Sequence, residues 1–139
     1  IIKGDTRSFS PKMQKLIEDR MREVAVGISK LHGATCEFEY THEFSPTINW
    51  DENYEYFLQA AKNIFGEENV NGQCEPWMGS EDFGIYLEHV PGAFLFLGSG
   101  KSSNETVAPL HNASYDYNDD ILVPGAKLFS ELVRLRLPK

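Results

Sequence analysis

Ala93-Phe94-Leu95-Phe96-Leu97, set between Pro91-Gly92 and Gly98, is an unbroken apolar run with turn residues on either side. A short run without polar alternation predicts a strand covered on both faces, as in sheets flanked by helices. Helical patterns lie on both sides of it. Upstream, Asp51 is placed to cap a helix with Tyr54, Phe57, Leu58, Ala61, Ile64 and Phe65 as apolar positions and Gly66 as its stop. A shorter helix is expected from about Ser80 to Glu88, ended by Pro91-Gly92. Downstream, a last helix starts near Asp119 or Pro124 and reaches about Arg136, with Ala126, Phe129, Leu132 and Val133 as its expected buried stripe. Helices alternating with buried strands give an α/β fold class.

The first part of the chain reads differently. Residues 1–9 read as a strand. Ser10-Pro11 then supplies an N-cap and a proline at the first helical position. Met13, Leu16, Ile17, Met21, Val24, Ala25, Ile28 and Leu31 recur at helical spacing, and the helix is expected to stop at Gly33 with Lys30 and His32 in its last turn. From Ala34 to Tyr40 the pattern alternates, with Cys36, Phe38 and Tyr40 on one side and Glu37 and Glu39 on the other, which predicts a second strand. Residues 1–41 therefore read as a β-α-β unit, and the whole chain as α+β overall. The boundary falls near residue 46, inside the connection Phe44-Ser45-Pro46-Thr47-Ile48-Asn49, giving expected domains 1–45 and 46–139. Asn71-Gly72 is a turn signal. There is no internal repeat or low-complexity tract. The sequence lacks an initial Met and begins in mid-strand, so it is expected to be a piece of something longer.

Composition narrows the function. The 139 residues are 41% hydrophobic and 24% charged, ordinary values for a globular protein. The formal charge of −8 argues against nucleic acid and against anionic membrane surfaces. No apolar run approaches a membrane span, and the N-terminus has no signal-peptide pattern. Cys36 and Cys74 form no C-x-x-C pair and read as two reduced thiols, which fits a cytoplasmic protein. The sequons at Asn104 and Asn112 are read as fortuitous.

His111 is the best candidate for chemistry. It lies after the apolar run and before an aromatic-acidic cluster, Tyr115-Asp116-Tyr117-Asn118-Asp119-Asp120. A neutral imidazole at the carboxyl end of a strand can bind a metal while a carboxylate orients its other nitrogen. A hydrogen-bonded loop histidine fits the same spacing. Gly79-Ser80-Glu81-Asp82 also has two readings: an ordinary helix start with Ser80 as cap and acids in the first turn, or a helix start facing a site. Gly98-Ser99-Gly100-Lys101-Ser102 lacks the spacing of a phosphate loop and is read as a plain loop. His32 and His89 are expected at helix ends, His42 has no partner legible in sequence, and Arg7 could contact an anionic ligand, an exposed or cross-strand ion-paired role being the one expected. No Ser-His-Asp or Cys-His arrangement is recognisable.

Five stretches occur in a telling order: Lys3-Gly4-Asp5-Thr6-Arg7-Ser8-Phe9, Met78-Gly79-Ser80-Glu81-Asp82-Phe83, Val90 to Gly98, Leu110-His111-Asn112-Ala113-Ser114-Tyr115-Asp116-Tyr117-Asn118-Asp119, and Pro124-Gly125-Ala126. Together they resemble the C-terminal part of a peptidase M20 family amidohydrolase, in the branch of aminoacylases, hippurate hydrolases and auxin-conjugate hydrolases. The resemblance covers essentially the whole chain. It implies a metal-binding α/β catalytic domain with an inserted ferredoxin-like lid. Residues 1–45 would then be the closing half of the lid, a dimerisation-type domain, and residues 46–139 the closing part of the catalytic domain. The family's last metal ligand, a histidine in an L-H-x-x-x-[YF]-[DN] stretch, falls on His111, while Gly79, Ser80, Glu81 and Asp82 fall near the active site. The family's other ligands and its general-base glutamate belong to an N-terminal part that this chain lacks. No catalytic residue is therefore expected here.

In the intact enzyme the resemblance implies two divalent metal ions (zinc, manganese, cobalt or nickel) and a small N-acyl amino acid substrate; because a half-lid and a half-catalytic domain would expose surfaces meant for absent partners, the isolated chain is expected to form a homo-oligomer or swap elements. None of these metals is expected to bind this chain tightly by itself, and the chain alone is expected to be inert. A non-catalytic interaction module built from the same fold is the competing reading. It would use the β-α-β unit to pair with another chain.

Overall fold

The structure, a computed structural model, describes residues 1–100 and 108–137. Among them are four α-helices, α1 (Pro11–Leu31), α2 (Asp51–Phe65), α3 (Phe83–Leu87) and α4 (Leu122–Arg136), with two 3-10 turns at Glu67–Asn69 and Asp119–Ile121. The chain divides into two compact units. One holds Ile1–Ile48 and Glu75–Pro91, the other Asn49–Cys74 and Gly92–Lys139.

In the first unit, α1 forms where local chemistry demands it. The Ser10 side chain accepts from the Met13 amide at 3.2 Å, and Pro11 follows. At the other end Gly33 has φ +68°, a left-handed conformation that its missing Cβ permits. The Ala34 amide then reaches Ser29 O at 2.8 Å and the Gly33 amide reaches Lys30 O at 3.1 Å. This pair of bonds is the Schellman closure. Met13, Leu16, Val24 and Ile28 on α1 are exposed.

The expected β-α-β unit is not confirmed: among the described residues there is no strand. The side-chain alternation is nevertheless present, since Cys36, Phe38 and Tyr40 are half-buried and Glu37 and Glu39 exposed. What is missing is a backbone partner. A strand exists only through a ladder of paired N–H and C=O groups, and residues 1–9 reach 34–42 through side chains instead. Thr6 Oγ1 hydrogen-bonds the Tyr40 hydroxyl. From α1, the Arg22 guanidinium lies 4.6 Å from the Phe38 ring centre and donates to Phe38 O at 3.3 Å.

α3 is shorter than expected and begins at Phe83, not Ser80. Ser80 caps nothing; Glu81 Oε1 accepts from the Phe83 amide at 3.2 Å. Gly84 seats this helix. It is buried, and a Cβ there would lie 2.4 Å from Ser45 O.

In the second unit α2 packs on α4 around Ala60, fully buried, and Leu128, which is 2% exposed. Asn63 Nδ2 donates to Glu131 Oε1 at 2.7 Å, and Arg136 pairs with Glu52 at 2.8 Å while covering the Tyr56 ring. Asp51 is the first residue of α2 instead of its cap, and Trp50 takes the cap position. Asp51 and Glu52 still suit the positive helix end. Gly66 closes the helix with φ +85°.

The apolar run beside these helices is covered less than its sequence predicts. Ala93 is buried, and Leu97 lies against Gly125, but Phe96 is 65% exposed. Its anchor is Asn49, whose side-chain amide accepts from Phe94 N at 2.7 Å and donates to Phe94 O at 3.0 Å. The Trp50 amide adds a bond to Gly92 O at 3.0 Å. On α4 the buried stripe also differs from expectation: Leu128 is buried and Leu132 and Leu135 are half-buried, whereas Ala126, Phe129 and Val133 are exposed. The helix is apolar on two sides, and periodicity alone does not choose between them.

Candidate functional site

His111 sits at the head of a tight turn. The Asn112 amide reaches Pro109 O at 3.1 Å, the Tyr115 amide reaches Asn112 O at 2.9 Å, and Asn112 Oδ1 accepts from the Ser114 amide at 2.8 Å. These bonds force a sharp reversal, and His111 takes it up with φ +67°, the one non-glycine positive φ among the described residues. An L-residue there is strained by about 1–2 kcal/mol, although histidine tolerates the region better than most. Such strain, held by surrounding turns, is a frequent mark of functional positions. The His111 side chain is exposed. Behind it, the Tyr115 hydroxyl donates to Ser99 Oγ at 3.2 Å, and the Tyr115 and Tyr117 rings meet edge to face at 5.7 Å.

Gly79, Ser80, Glu81 and Asp82 belong to the other compact unit. Gly79, Ser80 and Asp82 are exposed and Glu81 is half-buried. Glu81 is engaged with the Phe83 amide. Arg7 spans from the N-terminal segment to this loop, donating to Met78 O at 3.0 Å and pairing with Asp5 at 3.1 Å. The Arg7–Met78 contact joins residues 71 positions apart and has no local signal in the sequence.

The donor set does not make a metal centre on its own. Among the described residues no group of three or more His, Cys, Asp or Glu side chains is placed to hold a metal ion. A catalytic metal normally takes three protein ligands or more, and His111 is one. Cys36 is half-buried and Cys74 exposed, both as free thiols.

Other histidines have structural places. His32 is the C-cap of α1, and His89 lies just past α3. His42 has the partner that sequence did not reveal: its Nε2 is 3.2 Å from Glu18 Oε2, and its ring is 5.0 Å from that of Tyr40. Glu18 also accepts from Arg22 at 3.1 Å, and these two bonds hold its carboxyl below the usual carboxylate range, Arg22 contributing most. Of the 98–102 loop, Lys101 and Ser102 lie outside the described residues, as does the sequon at Asn104.

Residues 5–135 match the family described as Peptidase family M20/M25/M40, which fits an α/β metallohydrolase. Among the similar proteins, the hippurate hydrolase of Campylobacter jejuni is 31% identical over 131 residues, 94% of this chain and 33% of the relative. Thermostable carboxypeptidase 1 of Saccharolobus solfataricus is 28% identical over 126 residues, 90% and 31% respectively. The IAA-amino acid hydrolase ILR1-like 4 of Arabidopsis thaliana is 27% identical over 135 residues, 94% and 30%. The chain spans about a third of the length of the curated relatives it matches.

Proposed function

The chain belongs to peptidase family M20/M25/M40, and we propose that it is the C-terminal part of a metal-dependent amidohydrolase that cleaves the amide bond of small N-acyl amino acids. The observation that carries this reading is the family match across residues 5–135, supported by relatives named for hippurate and IAA-amino acid hydrolysis. In this reading residues 1–45 are the closing half of a lid domain and residues 46–139 the closing part of the catalytic domain. Water adds across the amide, releasing a carboxylic acid and an amino acid.

His111 is the residue of this chain assigned to a divalent metal, with the remaining ligands and the general base supplied from outside these residues. A single ligand is insufficient, so the isolated chain is inert. Gly79, Ser80, Glu81 and Asp82 line the substrate side, with Glu81 and the Arg7–Met78 contact shaping the loop. The exposed apolar faces, Met13, Leu16, Val24 and Ile28 on α1 and Phe129 and Val133 on α4, are surfaces for the rest of the enzyme or for a second copy.

The test is release of free amino acid from a panel of N-acyl amino acids, hippurate included. The mass-verified 139-residue chain is expected to be inactive, and the longer polypeptide of the same gene active. Activity of the longer polypeptide should vanish in His111→Ala. Hydrolysis by the 139-residue chain alone overturns the assignment of an incomplete site. A non-catalytic assembly module is the second reading, favoured by the same exposed faces. A gene that encodes only these residues, with a product that self-associates in light scattering, would establish it.

A further inference from the structure

We propose that Asn71 is a spontaneous deamidation site whose rate is set by the grip of Tyr54 on Gly72. Asn71-Gly72 is the one Asn-Gly pair in the sequence. Its side chain is open to reaction. Asn71 is exposed, and its Oδ1 accepts from the Gln73 amide at 2.9 Å. That bond draws electron density from the carboxamide and leaves Cγ more electrophilic. Gly72 has no side chain to shield its own amide nitrogen.

The chemistry needs water alone. The deprotonated Gly72 nitrogen attacks Asn71 Cγ, a new N–Cγ bond forms, and the Cγ–Nδ2 bond breaks with loss of ammonia. Water then opens the five-membered imide at either carbonyl, giving aspartate or isoaspartate. No oxidant or cofactor is required.

The opposing element is α2. The Tyr54 hydroxyl donates to Gly72 O at 2.5 Å, and Gly72 is seated so closely that a Cβ would come within 2.7 Å of the Tyr54 hydroxyl oxygen and 3.0 Å of Leu58 Cδ1. Closing the imide requires residue 72 to rotate, so this contact must loosen first. The product adds a negative charge close in sequence to Glu67 and Glu68, in a chain that already carries −8. In the isoaspartate form it also lengthens the backbone by a methylene. Both changes weaken the seating of residues 70–74 on α2.

The test is peptide mapping of the 139-residue chain aged at mildly alkaline pH, with isoaspartate detected by its separate elution. The mass gain of an amide-to-acid change is expected first in the peptide holding Asn71. Asn71→Gln, an exposed replacement that does not form the five-membered ring readily, is expected to remove it. Tyr54→Phe is expected to speed conversion about fivefold, the factor that one typical net hydrogen bond carries. A synthetic peptide of residues 67–76 sets the unrestrained rate. Conversion of that peptide while Asn71 in the chain stays intact, or an unchanged rate in a folded Tyr54→Phe variant, overturns the proposal.

Discussion

The side-chain amide of Asn49 closes both backbone hydrogen bonds of Phe94, accepting from its N–H at 2.7 Å and donating to its C=O at 3.0 Å. One side chain thus does for Phe94 what a neighbouring strand would do. The pair is partly buried, so water does not replace it freely. Asn49→Ala is expected to lose about 1–3 kcal/mol, the penalty for leaving such groups unpaired. Asn49→Asp keeps an acceptor for Phe94 N but leaves Phe94 O facing a carboxylate, and should be at least as damaging. Urea unfolding of the two variants checks this, and equal stability of all three proteins would refute it.

Gly84 allows no larger residue. A Cβ at 2.4 Å from Ser45 O overlaps backbone, which cannot swing away as a side-chain tip can. Gly84→Ala is expected to destabilise by about 1–3 kcal/mol despite the better helix propensity of alanine. The measurement is the thermal midpoint; an unchanged or raised midpoint would show that α3 can move off residues 45–46.

His111 sets chemistry against backbone comfort. His111→Gly removes the left-handed strain and should leave stability within about 1 kcal/mol of the parent. A β-branched valine at the same φ should lose more than glycine does. If the proposed function holds, both are expected to abolish hydrolysis by the longer polypeptide. Activity retained by His111→Gly would remove His111 from the metal-binding set.

Glu131 carries the clearest pH signature. Hydrogen bonds from Arg134, then Asn63, hold its carboxyl at about 2, against 4.5 for the unpaired group. Its folded-state value is depressed, so its contribution is complete above 4.5 and fades as pH falls toward 2. Glu131→Gln is expected to flatten the acid limb of a stability-versus-pH curve in that window and to leave its shape near neutrality unchanged. An identical acid limb in the variant would count against the pairing.

Several elements governed by neighbours in sequence were legible, although the caps read at Asp51 and Ser80 fell elsewhere. Ser10-Pro11 and Gly33 bracket α1, and Gly66 ends α2, because caps act within a few residues. The buried side of α4 was not legible, since Leu128 and Phe129 are equally apolar and only the position of α2 separates them. The strands expected at 1–9, 34–40 and 93–97 are a matter of partners: alternation at Cys36, Phe38 and Tyr40 survives as burial, yet among the described residues no second backbone pairs with it. At the candidate site, His111 stood out by its surroundings. Its strained φ, the Arg7–Met78 bond and the Glu18–His42 pair depend on turns and long-range contacts without a sequence signature.

The chain enters the second compact unit at Asn49 and again at Gly92, and those two places are tied together by the Asn49–Phe94 and Trp50–Gly92 bonds. Residues 75–91, which belong to the first unit, therefore return to the second unit beside a fixed tie. Changes in length within residues 75–91 would not propagate into the register of residues 92–97, which is reset at the tie. Their entropic penalty would grow only with the logarithm of loop size, about 0.6 kcal/mol for each doubling. The second unit can thus keep its alignment independently of how residues 75–91 are seated.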